Sequence, residues 1–249
     1  MGFACGMKMN RRIPVFLTAA LLLLPVFLTR AQDADQSTNA VPADDVTNDV
    51  PTLKELMSSN NIVTNTVGVV LVKISPDLWA GKYELTQDAW QKVTHGNPGA
   101  FKGGQNPVDS VSWNDAMAFC QRLTAKERMA KELPDGFIYT LPTEGQWEML
   151  LGDASLKDAV MALNGNSHSS TAPVGSLGPN SLGLYDMRGN VMEWCLDSHD
   201  PTYRVLRGGA WDTSLEVNSR VEFHWYSTSL DEKKNTYGFR VLLERGGSQ

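Results

Sequence analysis

Short blocks of hydrophobic and polar residues alternate along this chain and predict a domain of short strands and helices. The apolar, β-branched run at residues 67–74 predicts a strand, and residues 82–85 predict a second extended piece. Residues 137–141 and 237–243 predict further strands, and residues 204–211 predict a strand that enters a Gly-Gly bend. Because the blocks are short and long polar segments separate them, we expect a single compact α+β domain with little regular secondary structure.

Three helices are predicted from polar residues that can cap their N-termini. Thr86 precedes apolar residues at helical spacing, and its hydroxyl can accept a hydrogen bond from the first turn. Residues 112–115 and 143–146 both have the form of a capping box, which predicts two further helix starts. Gly145 lies inside the last of these helices and is expected to weaken it, since glycine costs up to ~1 kcal/mol relative to alanine.

The N-terminal residues have the pattern of a secretory signal peptide, which we expect to span residues 1–31. Lys8, Arg11 and Arg12 precede an apolar run at residues 13–28, and Ala31 is a small residue suited to cleavage. The run is shorter than the ~20 residues of a membrane span, so no stable span is expected after cleavage. We therefore expect export to the periplasm or the medium, with an uncleaved signal anchor as the alternative.

The segments between the signal peptide and the domain, and after the domain, are expected to be flexible. Residues 32–61 are rich in Asp, Asn, Thr, Ala and Pro, which predicts a flexible linker with a short helix near residues 53–57. The domain is expected to span residues 62–245, and residues 246–249 form a tail.

The composition fits a globular protein and argues against a nucleic-acid partner. Of the 249 residues, 42% are hydrophobic and 20% are charged. The formal net charge is −6, and residues 1–31 contain basic but no acidic residues, so the remainder is more acidic still. An acidic chain without a basic stripe is not expected to bind nucleic acid.

The stretch at residues 180–194 combines glycines and carboxylates with large apolar residues. Gly183 and Gly189 permit backbone angles that other residues resist. Asp186 and Glu193 offer carboxylates, and hard oxygens from side chains and backbone on one short loop suit Ca²⁺. The alternative is a buried turn in which the two acidic side chains cap local amides.

A second candidate site follows Gly208 and Gly209. Aromatic and charged residues are mixed there, as in a sugar- or peptide-binding cleft: Trp211, Asp212, Arg220, His224 and Trp225. The alternative is that the two tryptophans belong to the core and that the arginine pairs with an internal acid. Because the sequence has no nucleophile elbow, phosphate-binding loop, dinucleotide fingerprint or His-Glu-x-x-His pattern, it predicts no catalytic residue.

Two cysteines remain once Cys5 is assigned to the signal peptide. Cys120 and Cys195 form one disulfide at most, which export permits. The alternative is a pair of buried free thiols that behave as small apolar residues.

Six motifs occur in an order that resembles that of a known protein family. They are KYELTQ at residues 82–87, NPVDSVSWNDA at 106–116, LPTEGQWE at 141–148, GLYDMRGNVMEW at 183–194, RVLRGGAW at 204–211 and GFR at 238–240. Through them the chain resembles the sulfatase-modifying-factor family, whose founder is the formylglycine-generating enzyme. The resemblance covers about residues 62–244.

The resemblance implies a single compact domain that is distantly like C-type lectins. It also implies a structural Ca²⁺ on the loop at residues 183–194. The ligands carried over are the side chains of Asp186 and Glu193 and the backbone carbonyls of Gly189 and Val191.

The catalytic residues of the family are not carried over. Formylglycine-generating members use two cysteines after the Gly-Gly motif to bind Cu(I) and to activate O₂, which oxidises a sulfatase cysteine. Cu(I) prefers soft thiolates. Here the two positions hold Thr213 and Asn218, so copper is not expected.

Together these features predict an exported, non-catalytic member of the family. Its partner is expected to be an unidentified peptide, glycan or envelope protein, bound near Trp211 and Arg220. Two alternatives remain: a formylglycine-generating oxidoreductase that acts on a sulfatase cysteine through an unexpected thiol, and a structural component of the cell envelope.

Overall fold

Four α-helices and nine β-strands lie in the part of the chain that the computed structural model describes, namely residues 50–166, 169–197, 203–215, 224–227 and 229–246. The helices are α1 (Leu53–Ser59), α2 (Gln87–Thr94), α3 (Trp113–Met129) and α4 (Glu144–Leu151). The strands are β1 (Ile62–Thr64), β2 (Val70–Ser75), β3 (Leu78–Gly81), β4 (Phe137–Thr140), β5 (Met192–Trp194), β6 (Arg204–Arg207), β7 (Trp225–Ser227), β8 (Tyr237–Gly238) and β9 (Leu242–Arg245).

The strands form two sheets. The first has the order β1-β2-β3-β9-β4, and all its neighbours are antiparallel. The second has the order β7-β6-β5-β8, in which β5 and β8 are parallel and the other pairs are antiparallel. Since β8 and β9 follow each other in the chain but belong to different sheets, residues 239–241 carry the backbone from one sheet to the other.

Local capping places the three predicted helices. Thr86, Ser112 and Thr143 are the N-caps of α2, α3 and α4, and each side chain accepts a hydrogen bond from a backbone N–H of the first turn. Ser112 and Thr143 complete capping boxes with Asp115 and Gln146. All three predicted helix starts are therefore confirmed.

The first predicted strand begins later than the apolar run does. The run at residues 67–74 becomes β2 only after a turn, in which the Asn65 side-chain oxygen accepts hydrogen bonds from the N–H groups of Val67 and Val69 at 3.1 and 2.8 Å. Gly68 lies in this turn with φ of 91°. The Asn65 side chain thus competes with the sheet for the backbone N–H groups.

Two other predicted strands are interrupted. The strand predicted over residues 204–211 ends with β6, because Gly208 and Gly209 have φ of 97° and 78°. The strand predicted over residues 237–243 is divided into β8 and β9 at Arg240, whose side chain is buried between the sheets.

The extended piece predicted at residues 82–85 is a bent connection and not a strand. Lys82 N–H donates to the Val70 carbonyl at 2.8 Å, and Leu85 N–H donates to the Phe239 carbonyl at 2.9 Å. The backbone hydrogen bonds of this piece therefore reach separate segments.

The folded domain begins before residue 62. Leu53 and Met57 of α1 belong to the hydrophobic core, and the Leu53 N–H donates to a Glu132 side-chain oxygen at 2.6 Å. The predicted linker, residues 32–61, is therefore wrong at its C-terminal end, where α1 is part of the domain. The predicted signal peptide and residues 32–49 lie outside the described residues.

Helix α3 covers the free edge of β4, which is the last strand of the first sheet. The Tyr139 N–H donates to Thr124 Oγ1 at 2.9 Å, and the Phe137 carbonyl accepts a hydrogen bond from Arg128 Nη2 at 3.3 Å. Both partners lie on α3, so these two outward-facing backbone groups of β4 are satisfied.

The buried apolar residues of the described ranges form two clusters. In the larger, around α3, the rings of Trp90 and Phe119 stack with centroids 5.3 Å apart. The smaller contains Trp147 and Leu150 of α4. Across the described ranges no helix is both long and apolar enough to cross a membrane.

Glu127, near the end of α3, is fully buried, and only one of its two carboxyl oxygens is hydrogen-bonded. Its Oε1 accepts hydrogen bonds from Thr66 N–H at 3.1 Å and from Thr66 Oγ1 at 2.6 Å, whereas Oε2 has no hydrogen-bond partner. Burial raises the pKa of this carboxyl above its usual range.

Replacing Gly145 with alanine is expected to stabilise the domain by up to about 1 kcal/mol, because alanine favours the helix and restricts the unfolded chain. An added Cβ at this position meets no atom within 4 Å. Urea unfolding measures the change. Gly189→Ala is the matched control and should destabilise, since its Cβ would lie 2.5 Å from the Val160 carbonyl oxygen and its φ is 86°. A loss of stability in Gly145→Ala would contradict this account.

The Glu127→Gln variant tests the buried carboxyl. Because the pKa is higher in the folded than in the unfolded chain, the native state binds more protons, and this group's contribution to stability falls as pH rises through that interval. Each pKa unit corresponds to about 1.4 kcal/mol. The free energy of unfolding of the variant minus that of the wild type should therefore increase from about pH 4 to pH 7. A difference that does not depend on pH would exclude the effect.

Candidate functional site

The stretch at residues 180–194 folds around a buried ion pair. Glu193 of β5 is 1% exposed, and its Oε1 accepts a hydrogen bond from Arg240 Nη2 at 2.7 Å. Its Oε2 accepts from Trp147 Nε1 at 3.0 Å and from Arg240 Nε at 3.3 Å. Both oxygens of Glu193 are therefore engaged.

Arg240 connects this carboxylate with the backbone around it. Its side chain is fully buried, Nη1 donates to the Gly81 carbonyl at 2.8 Å, and Nη2 donates to the Tyr185 carbonyl at 2.7 Å. One guanidinium thus joins the end of β3, the loop before β5, and β5 itself.

Asp186 is a second buried carboxylate of the same loop. It has φ of 57°, and its Oδ2 accepts a hydrogen bond from Gly175 N–H at 2.7 Å. Burial raises its pKa to about 6. Gly183 and Gly189, which precede and follow Asp186 in the chain, have φ of 79° and 86° and thus use the backbone freedom that the sequence analysis noted.

Glu84 is a third buried carboxylate, which the sequence analysis did not single out. Its oxygens accept hydrogen bonds from Val191 N–H at 3.0 Å and from Asn190 Nδ2 at 2.7 Å. Burial, together with repulsion from Asp186 and Glu193, raises its pKa well above the usual range. The available signal was its position inside the first family motif, residues 82–87.

The chemistry of these groups fits a hard cation, although their present arrangement does not enclose one. Three carboxyl groups are buried here. Among the described residues, the one ion pair that they form joins Glu193 to Arg240. Without a further cation, burial and mutual repulsion raise the pKa of Glu84 and burial raises that of Asp186, and a bound cation would reverse this by favouring their charged forms. No three Asp, Glu, His or Cys side chains in the described ranges converge closely enough to hold a metal, so a cation here would need backbone carbonyls among its ligands.

The second candidate site is a cleft of about 280 Å³ beside the turn that follows Gly209. Its lining combines the apolar side chains of Leu215 and Trp225 with the charged side chains of Asp212 and Lys234. Leu215 is 60% exposed and Trp225 is 40% exposed. The cleft thus presents accessible apolar surface next to charges of both signs.

Lys234 is held in this cleft by its neighbours. Its Nζ lies 5.5 Å from the ring centroid of Trp225 and 5.0 Å from that of Tyr237. Its ion pair with Glu232, at 2.7 Å, and its hydrogen bond to the Tyr237 hydroxyl raise the pKa of Lys234, so the side chain stays cationic at neutral pH.

The predicted cleft residues divide between this cleft and its surroundings. Asp212 and Trp225 line it. Trp211 lies outside the lining, since its ring packs edge-on against Phe101 with centroids 5.2 Å apart and its Nε1 donates to the Asn235 carbonyl at 3.1 Å.

His224 belongs to a different cluster, which includes Glu144 at the start of α4. Its ring pairs with Glu144, and its Nδ1 lies 3.0 Å from Arg207 Nη1. Arg207 in turn pairs with Glu144 at 2.7 Å and with Glu148 at 2.9 Å. The remaining predicted residue, Arg220, lies outside the described ranges.

Thr213, which stands where the family resemblance places a catalytic cysteine, stabilises a turn. Its Oγ1 accepts a hydrogen bond from Ala210 N–H at 2.9 Å, and its own N–H donates to the Ala210 carbonyl at 3.0 Å. The hydroxyl is therefore engaged in local structure. Asn218, the second such position, lies outside the residues that the structure describes.

Cys120 and Cys195 are both free and fully buried, so the disulfide that the sequence left open is not formed. Burial raises the pKa of both thiols and disfavours the reactive thiolate. Each thiol belongs to one of the two hydrophobic clusters.

Curated relatives align with a large part of the chain. Chaperone protein LppX of Paenibacillus barcinonensis is 30% identical over 200 residues, which covers 57% of this chain and 71% of the relative. A formylglycine-generating enzyme of Streptomyces coelicolor is 35% identical over 164 residues, or 54% of this chain and 52% of the enzyme. The inactive C-alpha-formylglycine-generating enzyme 2 of Mus musculus is 27% identical over 186 residues, covering 63% of this chain and 55% of the relative.

Solved structures share the fold. Treponema denticola variable protein 1 superposes with a TM-score of 0.58 at 27% identity and covers 75% of this chain and 91% of its own. PvdO from Pseudomonas aeruginosa superposes with a TM-score of 0.59 at 20% identity, covers 74% and 97% of the two chains, and supports the fold alone. The expected α+β fold of formylglycine-generating-enzyme-like, C-type-lectin-like domains is confirmed.

The family model of the sulfatase-modifying factor enzyme 1-like domain matches residues 45–245, which is most of the chain. The matched range includes all six motifs and both candidate sites. The chain therefore belongs to the family of sulfatase-modifying factor enzyme 1-like domains.

Proposed function

We propose that this chain is an exported, non-catalytic member of its family and that it binds a peptide in the cleft lined by Asp212, Leu215, Trp225 and Lys234. The observation that carries the proposal is the cleft itself, whose accessible apolar side chains stand beside the charged side chains of Asp212 and Lys234. Export is supported by the signal-like pattern of residues 1–31.

The absence of catalysis is supported by the groups at the turn after Gly209. The Thr213 hydroxyl is engaged with Ala210 and offers no thiolate for Cu(I). The rival, a formylglycine-generating oxidoreductase, needs an accessible thiol, and Cys120 and Cys195 are both fully buried.

A peptide suits this cleft because its chemistry matches each wall. The Trp225 and Leu215 side chains can receive an apolar side chain, and partly exposed tryptophans are common centres of binding energy. Asp212 and Lys234 supply an acceptor and a donor for the peptide's polar groups. Binding of a glycan or an envelope protein, and not of a peptide, in the same cleft would contradict the proposal.

We also propose that the loop at residues 183–194 binds a structural Ca²⁺. Asp186, Glu193 and the carbonyls of Gly189 and Val191 are the ligands that the family resemblance implies. The proposal is supported by the burial of three carboxyl groups, Asp186, Glu193 and Glu84, beside a single arginine, since a bound cation would favour the charged forms of these oxygen ligands.

Binding of the purified chain to peptide and glycan arrays tests the cleft. We expect binding to peptides that carry an apolar residue, and we expect Trp225→Ala to weaken it by at least about tenfold, or 1.4 kcal/mol. Met149→Ala is the matched control, because Met149 is an exposed apolar residue of α4 outside the cleft lining. Binding to glycans alone, or peptide binding that survives Trp225→Ala, would contradict the proposal.

Conversion of a sulfatase cysteine peptide to formylglycine in the presence of copper would show that the chain is an enzyme.

Removal of calcium tests the metal proposal. A ligand that binds only the native state stabilises it by about 2.7 kcal/mol at 100 times its Kd, so EDTA should lower the Tm and excess Ca²⁺ should restore it. Asp186→Asn keeps the acceptor for Gly175 but removes the charge, and should abolish the response to Ca²⁺. Asp88→Asn, a change of an exposed carboxylate outside the loop, should leave the response intact. A Tm that is insensitive to EDTA in the wild type would exclude the site.

A further inference from the structure

A second pocket, of about 320 Å³, lies between α2, the turn before β2 and the segment around Val174. It shares no lining residue with the cleft near Trp225. Its volume falls in the range of small-molecule sites, roughly 300–1,000 Å³. Its polar lining includes Tyr83, Asp88, Lys92 and Gln105, and its apolar lining is built from small and β-branched residues.

The two charged side chains of this pocket are held in place. Asp88 and Lys92 lie one turn apart on α2, so both project from the same face of the helix. Lys92 Nζ donates to the Val67 carbonyl at 3.1 Å. Asp88 Oδ2 accepts a hydrogen bond from Gln105 Nε2 at 2.9 Å. Both side chains are exposed, so they remain accessible to a ligand.

Two glycines make room for the charged groups. A Cβ added at Gly68 would lie 3.3 Å from Lys92 Nζ, and one added at Gly104 would lie 2.6 Å from the carboxyl carbon of Asp88. Gly68 also has φ of 91°, which resists replacement. A larger residue at either position would push a charged group from its present place.

A third glycine, Gly175, leaves room for Tyr83, the aromatic residue of the pocket. A Cβ added at Gly175 would lie 2.6 Å from the Tyr83 ring, and Gly175 has φ of 73°. Each of the three side chains thus lies next to a glycine that leaves room for it. The hydrogen bonds of Asp88 to Gln105 and of Lys92 to Val67 hold the two charged groups at the pocket wall.

The charges of this set narrow the class of ligand. A free anion would be attracted by Lys92 but repelled by Asp88. A free cation would be attracted by Asp88 but repelled by Lys92. A fully apolar ligand would remove both charges from water without replacing their hydrogen bonds. A neutral molecule with several hydroxyl groups satisfies both, because a hydroxyl donates to a carboxylate and accepts from an ammonium.

The size and the aromatic ring favour a cyclic ligand of this kind. Tyr83 is half-buried and lines the pocket, and its ring also packs against that of Tyr185, with centroids 5.1 Å apart. Thr86 and Gln105 add a hydroxyl and an amide to the wall. We propose that this pocket binds a monosaccharide unit, with the sugar ring against Tyr83 and its hydroxyl groups hydrogen-bonded to Asp88 and Lys92.

Saturation-transfer NMR of the purified chain tests this site with three probes: methyl α-D-glucoside, methyl α-D-mannoside and N-acetylglucosamine. We expect transfer to at least one of them at concentrations up to about 10 mM. Asp88→Asn and Lys92→Met should each weaken that binding by about tenfold, the loss expected for a hydrogen bond to a charged group. The Asn variant keeps an acceptor for Gln105, which preserves the fold of the pocket.

The control is Trp225→Ala, which alters the other cleft and should leave sugar binding unchanged. Binding that Trp225→Ala abolishes, while Asp88→Asn and Lys92→Met leave it as in the wild type, would place the sugar in the other cleft and overturn the proposal. The absence of transfer to all three probes would overturn it as well. Neither result depends on whether the cleft near Trp225 binds peptides.

Discussion

The buried ion pair between Arg240 and Glu193 is the interaction on which the domain depends. Arg240 lies where the chain leaves the second sheet for the first, and Glu193 lies on the central part of the second sheet. The guanidinium also holds two backbone carbonyls, and the carboxylate also holds the Trp147 indole of α4. Loss of either charge would leave the other buried without a partner, at a cost of roughly 3–5 kcal/mol. The pair therefore fixes how the two sheets and α4 fit together.

The helices could be predicted from the sequence because their starts depend on nearby residues. Thr86, Ser112 and Thr143 each bond to an amide of their own first turn, which a local pattern reveals. Strands β5 and β7 have three residues each, too few to show an alternating pattern. The division of the last strand could not be predicted either, because it follows from the tertiary role of Arg240.

The candidate sites show the same limit. The left-handed angles of Gly183 and Gly189 are local, and the sequence shows at both positions the residue that permits them. Glu84 could not be assigned to this loop, because its partners Asn190 and Val191 lie 106 and 107 residues further along the chain. Likewise, composition alone does not distinguish Trp211, whose ring packs on a neighbour, from a tryptophan that lines a cleft. Only the packing of distant segments makes that distinction.

Because α3 covers the edge of β4, it affects how copies of this domain can associate through that edge. Unpaired strand edges invite strands of other molecules, and this is a common route to fibrous aggregates. At β4 an incoming strand would first have to displace Thr124 and Arg128 from the backbone of Tyr139 and Phe137. The first sheet is thus closed to growth at this end, and contacts between copies on this face have to be made by side chains.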